Sequence, residues 1–214
     1  MKKLLFILLG ISLTILPAMA QNKQLEKARK KEQKEAMKRY NKEGWKLFGS
    51  PRSMEVALLT YYDKMDKLGD AGAGIVGTST AKSKNVLHMS AINSACTKYA
   101  TQAGSTLKGR LIRDMNNDAD DLSVEFDRFY AAYEQLVEKE IKGELKEEFS
   151  VYRELSGGGF EMESYFIVNE DAASKARLRA MENAMKESAA AQKYAEKVSE
   201  FVRKGFSTEG EASE

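Results

Sequence analysis

The feature of this sequence that most restricts its fold is a β-hairpin pattern in the C-terminal half. Apolar and polar residues alternate on both sides of a glycine-rich stretch, residues 156–159. The alternating apolar positions are Phe149, Val151, Leu155, Phe160, Met162, Phe166 and Val168. This alternation is typical of half-buried strands, and glycine allows the turn because it adopts positive φ without strain. Strand-like runs at residues 44–49 and 74–79 bring the expected number of strands to about four.

Helical periodicity fills most of the remaining chain. Leu122, Phe126, Phe129, Tyr133 and Leu136 recur at intervals of four and three residues, which indicates the apolar face of a helix. The predicted helices cover residues 22–41, 51–68, 83–115, 122–142 and 171–206.

Two local signals refine these helices. Ser50 is the expected N-cap of the second helix, with Pro51 at its first helical position. In the third helix, Ala91, Ala95 and Ala103 form a stripe of small residues, which we expect to pack closely against the sheet.

The order of elements is α-β-α-β-α-α-β-β-α, which favours an α+β fold. We predict a small mixed or antiparallel sheet of about four strands packed with long helices, plus an N-terminal charged helix. The predicted organisation is a leader at residues 1–20, the charged helix at 21–42, one α+β domain at 43–205 and a disordered acidic tail at 206–214.

The first twenty residues have the pattern of a secretory signal peptide. Lys2 and Lys3 precede an apolar run at residues 4–16, and small residues at 18 and 20 suit cleavage after Ala20. The run is shorter than a membrane span of about 20 residues, so no transmembrane segment is predicted. We therefore expect an exported protein, periplasmic or associated with the outer membrane. Cys96 is the single cysteine, so the fold has no internal disulfide and depends on packing.

Charge argues against nucleic acid as a partner. The chain has 34 Lys+Arg and 32 Asp+Glu, and removal of Lys2 and Lys3 with the leader would make the two sets equal. A dedicated nucleic-acid binder normally carries a net positive charge.

Two segments carry a resemblance to known families. Residues 74–79, which lead into a helix ending at 107–110, and the hairpin at residues 148–168 together resemble the domain of twenty-kilodalton outer-membrane lipoproteins and the N-terminal domain of flagellar assembly protein T. The chain lacks the lipidated cysteine of those lipoproteins. From residue 43 to 206 it also resembles uncharacterised exported proteins of Bacteroides-type bacteria. The resemblance implies an envelope location and supplies no functional residue.

The N-terminal helix carries the candidate partner-binding residues. They are Lys23, Lys27, Arg29, Lys30, Lys31, Lys34, Lys38 and Arg39. Such a basic helix attracts anionic lipid headgroups or an acidic protein. The alternative is a solvated helix kept soluble by neighbouring Glu and Lys residues. In either case, a helix this polar is expected to be a solvated arm or a lid that rests on the core by one narrow apolar stripe.

Other motifs lead to no catalytic, cofactor or metal site. His88 and Cys96 lie eight residues apart on one helix, about 12 Å along its axis, too far for a nucleophile and its base. The polar loop at 116–121 lacks the glycine and glutamate of a calcium-binding EF-hand loop. Residues 72–77 have the glycine spacing of a dinucleotide-binding turn. In that motif the turn follows a strand, whereas residues 72–77 are expected to form the strand itself.

These observations favour a non-enzymatic envelope protein that binds or scaffolds an unknown envelope protein or anionic surface. The first alternative is an adaptor that docks on a membrane or acidic partner through the helix at residues 22–41. The second is an enzyme built on carboxylates such as Glu148 and Glu163, or on Tyr and Lys residues. The oligomeric state is left open.

Overall fold

The computed structural model describes residues 27–114 and 119–206. Helix α1 covers residues 27–43 of this part. The further helices are α2 (Met54–Leu68), α3 (Lys84–Asp114), α4 (Ala119–Ile141), α5 (Glu170–Ala184), α6 (Ala189–Lys193) and α7 (Ala195–Lys204). The strands are β1 (Lys46–Leu47), β2 (Gly72–Ala81), β3 (Lys146–Glu154) and β4 (Phe160–Asn169). The predicted leader at 1–20 and the tail from residue 207 onward lie outside the described residues.

The four strands form one antiparallel sheet in the order β1-β3-β4-β2. The predicted hairpin is β3 and β4, and its turn places Gly158 and Gly159 at φ values of 84° and 86°. Only glycine adopts this backbone conformation readily, so the glycine run determines where the chain reverses. The α+β prediction is confirmed, and the sheet is antiparallel throughout.

Helices α1 and α2 cover one side of the sheet, here called the α1–α2 face. Its buried residues come from both helices, the connection after α1 and the central strands: Tyr40, Trp45, Ala57, Leu58, Tyr61, Phe149, Val151 and Ile167. The rings of Phe149 and Tyr165 stack at a centroid distance of 4.5 Å. Tyr40 of α1 is completely buried in this cluster, so of the two forms expected for the charged helix, a solvated arm or a lid, the structure has the lid.

Helix α3 crosses the opposite side, here called the α3 face. A Cβ atom at Gly77 of β2 would overlap the carbonyl oxygen of Ala91 and lie 3.1 Å from the Cβ of Ala95. The helix backbone therefore rests directly on the strand, as the small-residue stripe predicted.

Helices α4, α5 and α7 pack behind α3 and enclose the larger part of the core. Its centre is built from aromatic residues of α4 and alanines of α3 and α5. Phe126, Phe129, Tyr133 and Val137 of α4 are each 1% exposed or less. Of the stripe predicted for this helix, Phe126, Phe129 and Tyr133 are buried, and Leu136 is partly buried against the same cluster.

The two edges of the sheet differ in length. β1 contributes only two residues at one edge. At the other edge, the outer side of β2 is occupied by side chains of α3: Lys98 donates to the carbonyl of Val76 (2.8 Å), and Ser94 accepts from the N–H of Thr78 (3.3 Å).

The predicted start of α2 is wrong by three residues. Ser53, not Ser50, is the N-cap: its hydroxyl accepts from the N–H of Val56, and the helix begins at Met54. Ser50 instead accepts from the N–H of Arg52 in the preceding turn. Pro51 therefore lies ahead of the helix, where its fixed φ suits a turn equally well.

Two other boundaries also differ from the predictions. Of the polar loop expected at 116–121, residues 119–121 belong to α4, and residues 116–118 lie outside the described part. The single helix predicted over 171–206 is interrupted by a 3-10 turn at Met185–Glu187, after which α6 and α7 follow. Ser188 accepts from the N–H of Ala191 and so starts a new helix.

Candidate functional site

The basic helix α1 is held on the sheet at both of its described ends. Near its start, Arg29 forms an ion pair with Asp66 of α2. Near its end, Tyr40 is completely buried, and Ala36 and Met37 pack against the same cluster. The narrow apolar stripe is therefore sufficient to fix which side of α1 faces the protein.

A polar latch lies beneath the C-terminal end of α1. Both terminal nitrogens of Arg39 donate to the carboxylate of Glu163 on β4, each at 2.7 Å. The hydroxyls of Tyr40 and Tyr165 are hydrogen-bonded at 2.6 Å, and Tyr165 donates to Glu163 at 2.9 Å. We call Arg39, Tyr40, Glu163 and Tyr165 the α1 latch. It satisfies the polar groups that the sheet would otherwise bury under the helix.

The ionisation of the latch follows from these contacts. Burial alone would raise the pKa of Glu163, but hydrogen bonds from Arg39 and Tyr165 and the charge of Arg39 together lower it. The hydrogen bond to Glu163 raises the pKa of Arg39. Burial raises the pKa of Tyr40 to about 12. At neutral pH the latch is thus an ion pair between two charged groups, flanked by two neutral phenols.

Trp45 extends the latch toward β3. Its ring lies 4.9 Å from the guanidinium carbon of Arg153 and 5.8 Å from that of Arg39, and its indole N–H donates to Glu43 at 2.9 Å. Arg153 in turn pairs with Glu43 and Glu161, each at 2.7 Å. The segment that leaves α1 is therefore fixed to the sheet as firmly as the helix itself.

The solvent side of α1 carries a row of lysines. Lys27, Lys31, Lys34, Lys38 and Lys42 are all exposed. At 100° per residue they lie within a sector of about 80°, and they span about 22 Å along the helix. Lys31 is about 180° around the helix from the buried Tyr40. We call these five residues the lysine row.

Few contacts within the protein neutralise the lysine row. Lys31 lies 3.9 Å from Glu35 in an exposed ion pair. Among residues 27–114 and 119–206, the other four lysines have no ion-pair partner. The row is therefore a positive surface held at fixed orientation.

The eight candidate residues on this helix divide into three groups. Lys27, Lys31, Lys34 and Lys38 belong to the row, and exposed Lys30 lies beside it. Arg29 and Arg39 point inward and hold the helix in place. Lys23 lies outside the described residues. The periodicity of the buried positions would have been needed to separate these groups. Lys42 was missed because the candidate residues were taken from positions 22–41 alone.

The two carboxylates proposed for an enzyme are both engaged. Glu163 belongs to the α1 latch, and Glu148 accepts from Lys64 at 2.5 Å. They lie on the α1–α2 face under helices, where their partners are cations of this chain.

The structure separates His88 from Cys96, as the helical spacing predicted. His88 is half-exposed, stacks near Phe48 and contacts Glu147 through Nε2 at 2.8 Å. Cys96 is 1% exposed in the core, and burial raises the pKa of its thiol. A buried neutral thiol is a packing residue.

Sequence reasoning missed a chain of hydrogen bonds that ends at His88. The hydroxyls of the buried Ser164 and Ser150 are hydrogen-bonded at 2.7 Å, and Ser150 donates to Glu147 at 2.5 Å. The other carboxylate oxygen of Glu147 contacts His88. The β-bulge between Glu147 and Phe149 turns this glutamate to the same side as the serines. His88 is bonded to the Glu147 carboxylate and not to a serine. In the arrangement that activates a serine nucleophile, the histidine bonds to the serine hydroxyl.

The remaining motifs have structural explanations within the described residues. Residues 72–77 form the first part of β2 and do not open a helix. The described residues contain no group of three or more His, Cys, Asp or Glu side chains placed to hold a metal ion. Of the calcium pattern at 116–121, residues 116–118 lie outside the described residues and residues 119–121 begin α4. No described helix combines the length and apolar character that crossing a membrane requires.

Comparison of the chain with family models, curated proteins and solved structures finds no match. The resemblance to envelope lipoproteins and exported proteins therefore stays a prediction.

Proposed function

We propose that this chain is an exported, non-catalytic binding protein of the cell envelope, attached to an anionic membrane surface by the lysine row of α1. The observation that carries the proposal is the placement of the row. Five lysines occupy the side of α1 opposite its docked side, while Arg29 and Arg39 hold the helix in place. The leader pattern at residues 1–20 supports an envelope location.

Preorganisation favours binding by such a surface. A free basic arm would lose conformational freedom when it met a membrane, whereas α1 is already a helix with its lysines aligned. Each lysine near an anionic leaflet contributes about 1 kcal/mol, so the row contributes about 5 kcal/mol at low ionic strength. Electrostatics alone therefore corresponds to a dissociation constant of roughly 0.1 to 1 mM. Such an attachment is reversible and weakens with salt.

The test is co-sedimentation of the chain without its leader, residues 21–214, with lipid vesicles. We expect binding to vesicles of phosphatidylcholine with 40% phosphatidylglycerol, weak binding to pure phosphatidylcholine, and loss of binding as NaCl rises from 50 to 500 mM. Replacing Lys27, Lys31, Lys34, Lys38 and Lys42 by Gln is expected to abolish the binding. Substitution is preferable to deletion of residues 21–41, because deletion would also remove Arg39 and the buried Tyr40.

A matched control removes the same charge elsewhere. Lys82, Lys139, Lys175, Lys186 and Lys193 are exposed and lie on neither α1 nor α2. Their replacement by Gln is expected to preserve most of the binding. If the two fivefold variants lose affinity equally, or if anionic vesicles do not bind the wild-type chain, the lysine row is not a membrane site.

A further inference from the structure

Helices α1 and α2 run antiparallel on the sheet. Arg29, near the start of described α1, pairs with Asp66 near the end of α2. Further along α1, the charges of Glu32 and Arg39 both act on Tyr62: burial raises the pKa of Tyr62, Glu32 raises it further, and Arg39 lowers it. Residues later in α1 therefore lie beside residues earlier in α2. This progression places Leu59 level with about residue 36 of α1 and Val56 level with about residue 39.

Two large apolar side chains stand exposed at that level. Val56 and Leu59 are each 48% exposed, and they lie one turn apart on α2. Leu59, Tyr62 and Asp66 follow the i, i+3, i+7 spacing, so they share one side of α2. Because Tyr62 and Asp66 lie next to α1, Leu59 lies on the side of α2 that is next to α1. It is therefore level with the part of the lysine row that contains Lys34 and Lys38, and the exposed Glu35 lies on the side of α1 nearer α2.

The sheet side of α2 is already filled. Ala57, Leu58 and Tyr61 are buried on it. Val56 and Leu59 therefore point away from the core and form an apolar spot at the border of the positive row. Exposed aliphatic side chains on α2 beside a row of lysines on the neighbouring α1 match the two layers of a membrane interface, charged headgroups outside and hydrocarbon beneath.

We propose that Val56 and Leu59 insert into the acyl region of an anionic bilayer while the lysine row contacts its phosphate groups. This inference rests on the proposed function and deepens it, because it adds insertion into the acyl region to the contact of the lysines with the headgroups. A soluble polyanion would satisfy the lysines but would leave the two aliphatic side chains in water. Electrostatic attraction by five lysines is weak, and insertion of apolar area strengthens the attachment.

Fluorescent labelling tests the insertion directly. A Leu59→Cys variant is labelled with the environment-sensitive dye NBD; Cys96 is 1% exposed and stays unmodified in the folded protein. With 40% phosphatidylglycerol vesicles we expect a blue shift, higher emission and quenching by acyl-brominated lipid. The matched control is Ile112→Cys, at a residue 44% exposed on α3 beyond the opposite face of the sheet, whose label is expected to stay in water.

A second variant measures the contribution of the spot to affinity. Val56→Ser combined with Leu59→Ser is expected to weaken vesicle binding about five- to tenfold while the dependence on salt persists. Circular dichroism of each variant verifies the fold, and Val56→Cys replaces Leu59→Cys if that variant does not fold.

The outcomes distinguish this inference from the proposed function. If the protein sediments with anionic vesicles but the label at residue 59 reports water, or if the label at residue 112 responds equally, insertion by α2 is wrong and the lysine row still stands. If the protein does not sediment with these vesicles at all, both proposals are wrong.

Discussion

Each face of the sheet has an arginine that holds one end of the described chain, but the two arginines lie in different surroundings. On the α3 face, Arg177 of α5 has a side chain only 1% exposed; on the α1–α2 face, Arg39 has a side chain 41% exposed. Arg177 donates to Glu170 and Tyr99, each at 2.5 Å, and to the carbonyl of Val202 in α7 at 3.2 Å. Arg39 makes the corresponding contacts to Glu163 at the edge of water.

The difference indicates how the two faces contribute to the molecule. An arginine buried with its partners leaves a costly unpaired group if any partner is removed, so the C-terminal helices are integral to the fold. A half-exposed ion pair competes with water and salt, so it orients α1 at a smaller gain in stability. The α3 face is therefore the structural face, and the α1–α2 face is the one that can carry a surface function.

Replacing Arg177 by Met is the severest test of this contrast. It leaves the Tyr99 hydroxyl and the Val202 carbonyl without their buried donor, so we expect the free energy of unfolding to fall by about 3 to 5 kcal/mol. Urea denaturation followed by circular dichroism gives this value. The control is Arg179→Met, two residues away on the same helix with its side chain 47% exposed, which should leave the midpoint near wild type. A small effect at Arg177 would show that its burial does not anchor α7.

Replacing Gly77 by Ala probes the close packing of the α3 face. The added Cβ meets the backbone of Ala91, which cannot rotate away, so we expect a loss of about 1 to 3 kcal/mol in the same denaturation experiment. Gly157→Ala is the matched control, because its Cβ would have open space and its backbone is not in the left-handed region. Equal stability of the two variants would argue against backbone contact between α3 and β2.

Replacing Glu163 by Gln weakens the α1 latch on the α1–α2 face. Of the three substitutions, it is expected to lower the free energy of unfolding the least. We expect a loss of about 1 to 2 kcal/mol at pH 7, because the lost bonds involve a charged but half-exposed arginine. The folded-state pKa of Glu163 is below its usual value of 4.5, so its contribution is complete above that pH and is lost as the pH falls through the folded pKa.

The pH dependence distinguishes this role from simple packing. Wild-type stability should therefore decline more steeply than that of Glu163→Gln on acidification below about pH 4.5. Glu154→Gln, at a side chain 66% exposed, should keep the wild-type slope. Hydrogen exchange of α1 amides should accelerate in Glu163→Gln while amides of α5 and α7 are unchanged. Parallel pH profiles of Glu163→Gln and wild type would contradict the ionised latch.

The sequence was informative where side chains are large and periodic. Phe126, Phe129 and Tyr133 identified the buried face of α4, and the alternation around Gly158 identified the hairpin, because burial of such side chains dominates local energetics. The α+β class followed from these elements.

The parts that could not be predicted depend on tertiary contacts of small or charged residues. Ala173, Ala176 and Ala180 form the buried side of α5, but alanine gives a weak hydrophobic signal. Arg177 lies among these alanines, and in the sequence an arginine on a helix is typical of a solvent-exposed face. Its burial follows only from its contacts with Glu170 and Tyr99, which the fold brings together. Ser50 and Ser53 are equally good N-caps locally, and the packing of Leu58 and Tyr61 selects the second. The lysine row could not be predicted because the sequence alone does not show which side of α1 packs against the protein.

The outer edge of β2 has a consequence for how copies of the protein meet. A ten-residue edge strand is a ready template for fibril growth, since a foreign strand can add to its unpaired backbone groups. Lys98 and Ser94 already occupy two of those groups, one acceptor and one donor, in the middle of the strand. An incoming strand would have to displace both and bring its own backbone against a lysine ammonium. The helix that completes the core thus also protects the sheet from polymerisation.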